Sequence, residues 1–270
     1  MLTFFIKARL GSFLIFDQLP CFLYDMRYPD SAGCTKNEEE PNKVITDIPP
    51  SGLLPYRPGR ARPYLYSNNE VRQLLQAARR LPSIHGLRGP TYYCLLGLLA
   101  VSGLRISEAR NLQTEDVDLK EGILTIRGAK FGKSRLVPIH PSTRKALADY
   151  AARRDRFLAR RPATFFVSGR GTRLDGAEVR RTFYFLSRQI GLRGPTDSHG
   201  PRLHDFRHRF AVEALIQWYR SGQDVERRLP ILTTFLGHVH VADTYWYLSA
   251  CPELMGLAVK RFEDYWEKQS

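Results

Sequence analysis

From residue 64 onward the apolar positions recur mostly at helical intervals. Ser67-x-x-Glu70 has the form of a capping box, with Val71, Leu74, Leu75 and Ala78 following at helical spacing, which predicts a first helix to about Leu81, before Pro82. Pro90 opens a nearly continuous apolar stretch over residues 92–101, stopped at Gly103, and this reads as a buried central helix. Ser107-Glu108-Ala109-Arg110 begins a short helix, which leaves Arg105 on the turn between the two. The pattern then changes. Residues 122–126 and 135–139 are β-rich and are separated by Gly128-Ala129-Lys130-Phe131-Gly132-Lys133, so a hairpin with a basic tip is expected. Pro141-Ser142-Thr143 starts another helix, residues 165–168 read as a further strand, and Asp175 or a neighbour caps a helix to about Gln189. Helices at about 205–220, 225–235, 241–249 and 252–267 complete the pattern. The expected fold class is α+β, mainly α, with a small antiparallel hairpin or three-stranded sheet on one side.

The first 62 residues read differently. Apolar bursts at 2–6 and 10–16 are divided by Lys7 and Arg9 and closed by Asp17. Neither reaches the ~18 residues of a spanning helix, and a signal peptide would carry its positive charge ahead of its apolar run. No membrane span and no export are expected. Residues 30–62 are rich in Pro, Gly and charge, with Glu38-Glu39-Glu40 and Pro49-Pro50-Ser51-Gly52, and read as linker or poorly ordered arm. The expected division is an arm over 1–62 and an ordered domain over 63–270. Cys21, Cys34, Cys94 and Cys251 form no C-x-x-C pair, which argues against a zinc knuckle or a disulfide framework and suits a reducing cytoplasm.

Charge narrows the partner. The net charge is +14, and residues 1–60 contribute none of it, having seven Lys/Arg against seven Asp/Glu. The whole surplus lies in the ordered part, where nucleic acid is the favoured partner, because each Lys or Arg placed on a phosphate releases counterions. A solvated basic surface is the alternative reading of the charge alone.

Three short motifs lie in that part: Gly103-Leu104-Arg105-Ile106-Ser107-Glu108, His204-Asp205-Phe206-Arg207, and Leu236-Gly237-His238 with Tyr247 nine residues beyond the histidine. Cleaving a phosphodiester with a side chain needs a nucleophilic oxygen, cations on the phosphoryl oxygens, and groups that give and take protons. Two arginines suit the second need, since a guanidinium stays charged and grips phosphate with paired donors. On a helix beginning near Leu203, His204 and Arg207 share a face.

In order and together, these motifs resemble the tyrosine recombinase, or phage integrase, family, over essentially the whole of 63–270. The resemblance implies a catalytic domain that cuts and rejoins DNA without metal or other cofactor through a 3′-phosphotyrosyl intermediate. It implies Tyr247 as nucleophile, Arg105 and Arg207 on the phosphate, and His204 and His238 assisting proton transfer. Lys130 corresponds to the family's hairpin lysine, the acid for the 5′ oxygen, with Lys133 and Arg135 as competitors for that place. It further implies double-stranded DNA as partner and a homotetramer on synapsed DNA, while residues 1–62 would be the remnant of a core-binding domain.

Several neighbours invite second readings. Glu108 could buttress Arg105 or be a solvated acid, and Asp205 could orient His204 or Arg207. Tyr245 is expected to pack, and His208 and His240 to be ordinary polar positions. Lys133, Arg135, Arg180, Arg181, Arg202 and Arg209 are read as charges facing DNA phosphate. Gly128-x-x-x-Gly132-Lys133-Ser134 imitates a P-loop, but it is one residue short and leads into a strand. Two other functions fit the same residues: type IB topoisomerase-like strand relaxation, and a truncated, non-catalytic DNA-binding protein.

Overall fold

The computed structural model describes residues 63–267 apart from 84–85, 129–133, 159, 198 and 250. Helix α1 (Asn68–Arg79) starts at the expected capping box: the Glu70 N–H donates to Ser67 Oγ at 3.2 Å and the Ser67 N–H to Glu70 Oε2 at 2.6 Å. Its apolar stripe of Val71, Leu74, Leu75 and Ala78 is buried against α2 (Arg88–Ser102). Helix α2 begins two residues before Pro90, which sits in the first turn, where its missing N–H removes no intrahelical bond. It is buried on nearly every side because α1, α4 (Pro141–Phe157) and α6 (Asp205–Arg220) surround it.

Gly103 ends α2 at φ +60°, and a Cβ there would lie 2.6 Å from Phe210 Cδ1. The chain turns directly into α3 (Ile106–Asn111), with Arg105 as its N-cap residue. A 3₁₀ turn at Thr114–Asp116 then leads to a three-stranded antiparallel sheet in the order β1 (Val117–Asp118), β2 (Ile123–Ile126), β3 (Arg135–Pro138). Leu124 pairs with Val117 on one side and Val137 on the other, and the tip with Lys130 and Lys133 lies outside the described residues. Helix α5 (Gly176–Gln189) is capped by Asp175, which accepts from the Ala177 and Glu178 N–H groups. The chain closes with α7 (Val225–Leu236), α8 (Ala242–Ser249) and α9 (Pro252–Glu267), and α7, α8 and α9 all pack on α6.

One expected strand is absent. The third strand is Val117–Asp118, whereas residues 165–168 make only a single bridge, Val167 with Arg173, next to another of Thr164 with Gln113. The segment needs no ladder because its N–H groups find other acceptors: Phe165 at Leu112 O, Val167 at the Tyr150 hydroxyl, and Ser168 at Thr172 O. Its aromatic rings, Phe165 and Phe166, are buried around Tyr150. Among the described residues no helix is long and apolar enough to cross a membrane.

Candidate active site

Arg105, Arg207, His238 and Tyr247 come together where the end of α2, the start of α6, the end of α7 and α8 meet. Arg207 is almost wholly buried. Its Nη1 donates to Gly103 O at 2.9 Å and its Nη2 to Leu236 O at 2.6 Å, so one guanidinium ties the turn before Arg105 to the turn before His238. Both carbonyls are left over at helix ends, which is why they are available to it. Burial, with Arg105 nearby, pulls Arg207 down to about 10, still well above neutrality, so the group remains a cation.

Arg105 is partly exposed and is braced from two sides. Its Nη2 donates to Gly237 O at 3.1 Å and its Nη1 to Glu108 Oε1 at 2.9 Å, while Glu108 Oε2 accepts the Arg105 backbone N–H at 2.9 Å. Glu108 is therefore a buttress, not a solvated acid. It also takes a fork-to-fork pair from Arg135, Nη1 to Oε1 at 3.0 Å and Nη2 to Oε2 at 2.8 Å. Although burial opposes the charge, Arg135 and Arg105 together hold the Glu108 carboxyl down at about 2. Arg135 Nε completes the brace at Phe235 O, 2.8 Å away.

Leu236-Gly237-His238 is a left-handed helix stop. Gly237 has φ +67° and its N–H returns to Thr234 O, which turns His238 back toward the arginines. His238 is partly covered, and burial followed by the two arginine charges pulls it down to about 3, so its ring is neutral. Its Nδ1 lies 2.9 Å from Thr244 Oγ1. The Tyr247 ring stacks on it with centroids 6.0 Å apart at 21°. Tyr247 is 2% exposed, in contrast to Tyr245 at 50%, and Tyr245 thus does not pack as expected.

His204 is exposed at the N-terminus of α6, and its ring is 4.6 Å from that of His208, one turn on. His208 is not the ordinary polar position the sequence suggested. It is buried, with its ring 5.5 Å from Tyr247 and 5.2 Å from Trp246. The signal available in the sequence was its place, four residues after His204 and next to Arg207. Asp205 turns its carboxylate to Arg202, accepting the Arg202 N–H at 2.7 Å and its guanidinium at 3.3 Å.

The expected phosphate-facing charges divide. Arg180, Arg181 and Arg202 are exposed, and Lys130 and Lys133 lie outside the described residues. Arg135 and Arg209 do not face outward. Arg209 is buried, donating to Tyr66 O at 2.6 Å and Asn68 Oδ1 at 2.9 Å and pairing with Glu213 at 3.0 Å, which fastens the start of α1 to α6. Each has a carboxylate partner inside the fold, which makes its burial tolerable.

Comparison with known proteins agrees with this geometry. The phage integrase family model matches residues 65–253. An integrase/recombinase of Sinorhizobium fredii is 60% identical over 230 residues, covering 83% of this chain and 73% of its own length. The tyrosine recombinase XerD of Caulobacter vibrioides is 30% identical over 210 residues, covering 77% of this chain, which spans 64% of that relative. The crystal structure of XerA recombinase superposes with a TM-score of 0.59 at 27% identity, over 80% of this chain and 69% of that one. With two arginines, a neutral histidine and a buried tyrosine gathered at the helix ends, the chain belongs to the phage integrase family, the tyrosine-type site-specific DNA recombinases.

Proposed function

We propose that this chain cuts and rejoins double-stranded DNA through Tyr247, and that residues 63–270 carry the chemistry. The observation that supports this most is the stacking of the Tyr247 ring on His238, directly beside the Arg207 guanidinium that links both flanking turns. The phenolic oxygen attacks the scissile phosphorus, its proton passes to a histidine, and the bond from phosphorus to the 5′ oxygen breaks. A 3′-phosphotyrosyl ester and a 5′ hydroxyl result, with Lys130 giving the leaving oxygen its proton. Arg105 and Arg207 neutralise the charge that builds on the phosphoryl oxygens. His204 and His238 serve proton transfer, and the phosphotyrosyl bond keeps the energy needed for religation, so no cofactor enters the scheme. Arg180, Arg181, Arg202 and Lys133 contact backbone phosphate.

Recombination requires several copies on synapsed DNA, and α9 offers a surface for such assembly. Leu254 anchors it to its own domain, while Met255, Val259, Phe262 and Trp266 are exposed. Recombination is favoured over single-strand relaxation by this stripe, and a DNA-dependent tetramer is the expected assembly. The reading is tested by incubating the protein with a nicked duplex and mapping the covalent adduct by mass spectrometry. A DNA-linked peptide containing Tyr247 is expected, and linkage to any other residue would overturn the assignment.

A further inference from the structure

Behind His238 runs a chain of two hydroxyls whose direction can be deduced. Thr233 Oγ1 lies 2.8 Å from Leu229 O, one turn back in α7. A carbonyl can only accept, so the single hydroxyl proton of Thr233 is used there. Thr244 Oγ1 lies 2.9 Å from Thr233 Oγ1, and with the Thr233 proton committed Thr244 is the donor in this pair. Thr244 Oγ1 is also the partner of His238 Nδ1 at 2.9 Å. Its own proton being committed in turn, it can only accept, and Nδ1 therefore carries hydrogen. In a neutral imidazole that leaves Nε2 as a bare lone pair. Both threonines are buried, Thr244 completely, so bulk water does not substitute for either hydroxyl.

We propose that Thr233 and Thr244 are positioning residues that lock His238 in its Nδ1–H tautomer, so that Nε2 is the acceptor for the Tyr247 phenolic proton. The proposal rests on Tyr247 being the nucleophile. In the forward step the phenol O–H breaks, the oxygen bonds to phosphorus and the proton moves to Nε2, while Nδ1–H stays on Thr244. Religation returns the proton to the phenol. The charged and titratable groups around His238 are Arg207 from α6 and His204 just before it, Arg105 from the turn after α2, and Asp243 and Tyr247 from α8. Burial first, and then the Arg207 and Arg105 charges, keep the resting ring neutral, Asp243 opposes them weakly, and a phosphate seated between the arginines offsets their charge when the proton has to be accepted. A ring free to flip to the Nε2–H tautomer would present a donor to the phenol and could not take its proton.

The direct test is ¹⁵N NMR of the full chain labelled at histidine, with His238 assigned from a His238→Asn difference among the seven histidines. The Nδ1–H tautomer is expected, and an Nε2–H ring overturns the proposal whichever residue is the nucleophile. The kinetic test is Thr244→Val on a nicked duplex: adduct formation slowed by roughly tenfold or more with a shifted pH profile and unchanged DNA affinity, and restored by Thr244→Ser. A Thr244→Val protein with the wild-type rate and pH profile overturns it as well. The NMR result on wild type stands even if that variant folds poorly. Failure of Tyr247 as nucleophile is read separately, from the adduct map.

Discussion

Glu108 holds Arg135 through both carboxylate oxygens, at 3.0 and 2.8 Å, and Arg105 shares the first of them at 2.9 Å. One buried acid thus couples the hairpin to the arginine beside the tyrosine. Its carboxyl, near 2 when folded and about 4.5 when free, contributes stability that is complete above pH 4.5 and is lost as the pH falls toward 2. The contribution is on the order of 3 kcal/mol. Glu108→Gln should lower stability at pH 7 by an amount of that order and flatten the acid limb between pH 4.5 and 2. Denaturant titrations across that range check it, and an unchanged acid limb would contradict the role.

Arg135 and Arg180 separate internal bracing from phosphate contact. Arg180→Ala should reduce the salt dependence of DNA binding by about one phosphate's worth, a slope change near 0.9, with little effect on stability. Arg135→Ala should leave the salt slope alone and destabilise by roughly 1.5–3 kcal/mol, because it removes the paired donors from the buried Glu108 carboxylate and leaves it to Arg105 alone. Affinity measured at several salt concentrations, alongside unfolding curves, distinguishes the two.

That contrast marks what a sequence can reveal. The Ser67 and Asp175 caps, the stop at Gly103 and the limits of most helices depend on a few neighbouring residues, and they were legible. Arg135 read as an outward-facing charge because its partner Glu108 lies 27 residues away, and Arg209 because the Tyr66 carbonyl that holds it inside lies 143 residues away, while its i,i+4 pair with Glu213 looks the same in sequence whether exposed or buried. Residues 165–168 carried strand propensity, but the Tyr150 hydroxyl and two loop carbonyls met their hydrogen-bonding needs instead. For the site, the order of Arg105, His204, Arg207, His238 and Tyr247 was visible. The part played by Thr244 and the placing of His208 against Tyr247 depend on how α6, α7 and α8 pack.

Gly103 makes the turn that presents Arg105. Gly103→Ala meets both an unfavourable φ of +60° and a Cβ only 2.6 Å from Phe210. A loss of about 1–3 kcal/mol is expected, with reduced adduct formation because the Gly103 carbonyl is an Arg207 partner. Thermal unfolding and single-turnover assays check the two effects separately.

His238 gives the fold a second pH dependence. An unfolded histidine takes up its proton near pH 6.5, whereas folded His238 resists to about 3. The unfolded chain therefore binds more protons in this window, and the associated stability is complete above pH 6.5 and is lost as the pH falls toward 3. Comparing pH 7 with pH 5, above the Glu108 range, wild type should lose more stability than His238→Asn. Equal losses would contradict a neutral, partly covered His238.

The central claim is that Tyr247 is the nucleophile, and substitution by phenylalanine tests it most directly. The ring contacts with His238 and His208 survive this change and only the hydroxyl is removed. On a nicked duplex that traps the intermediate, wild type should accumulate covalent protein–DNA adduct. Tyr247→Phe should form none while binding the same DNA with unchanged affinity. Adduct formed by Tyr247→Phe at the wild-type rate would contradict the account.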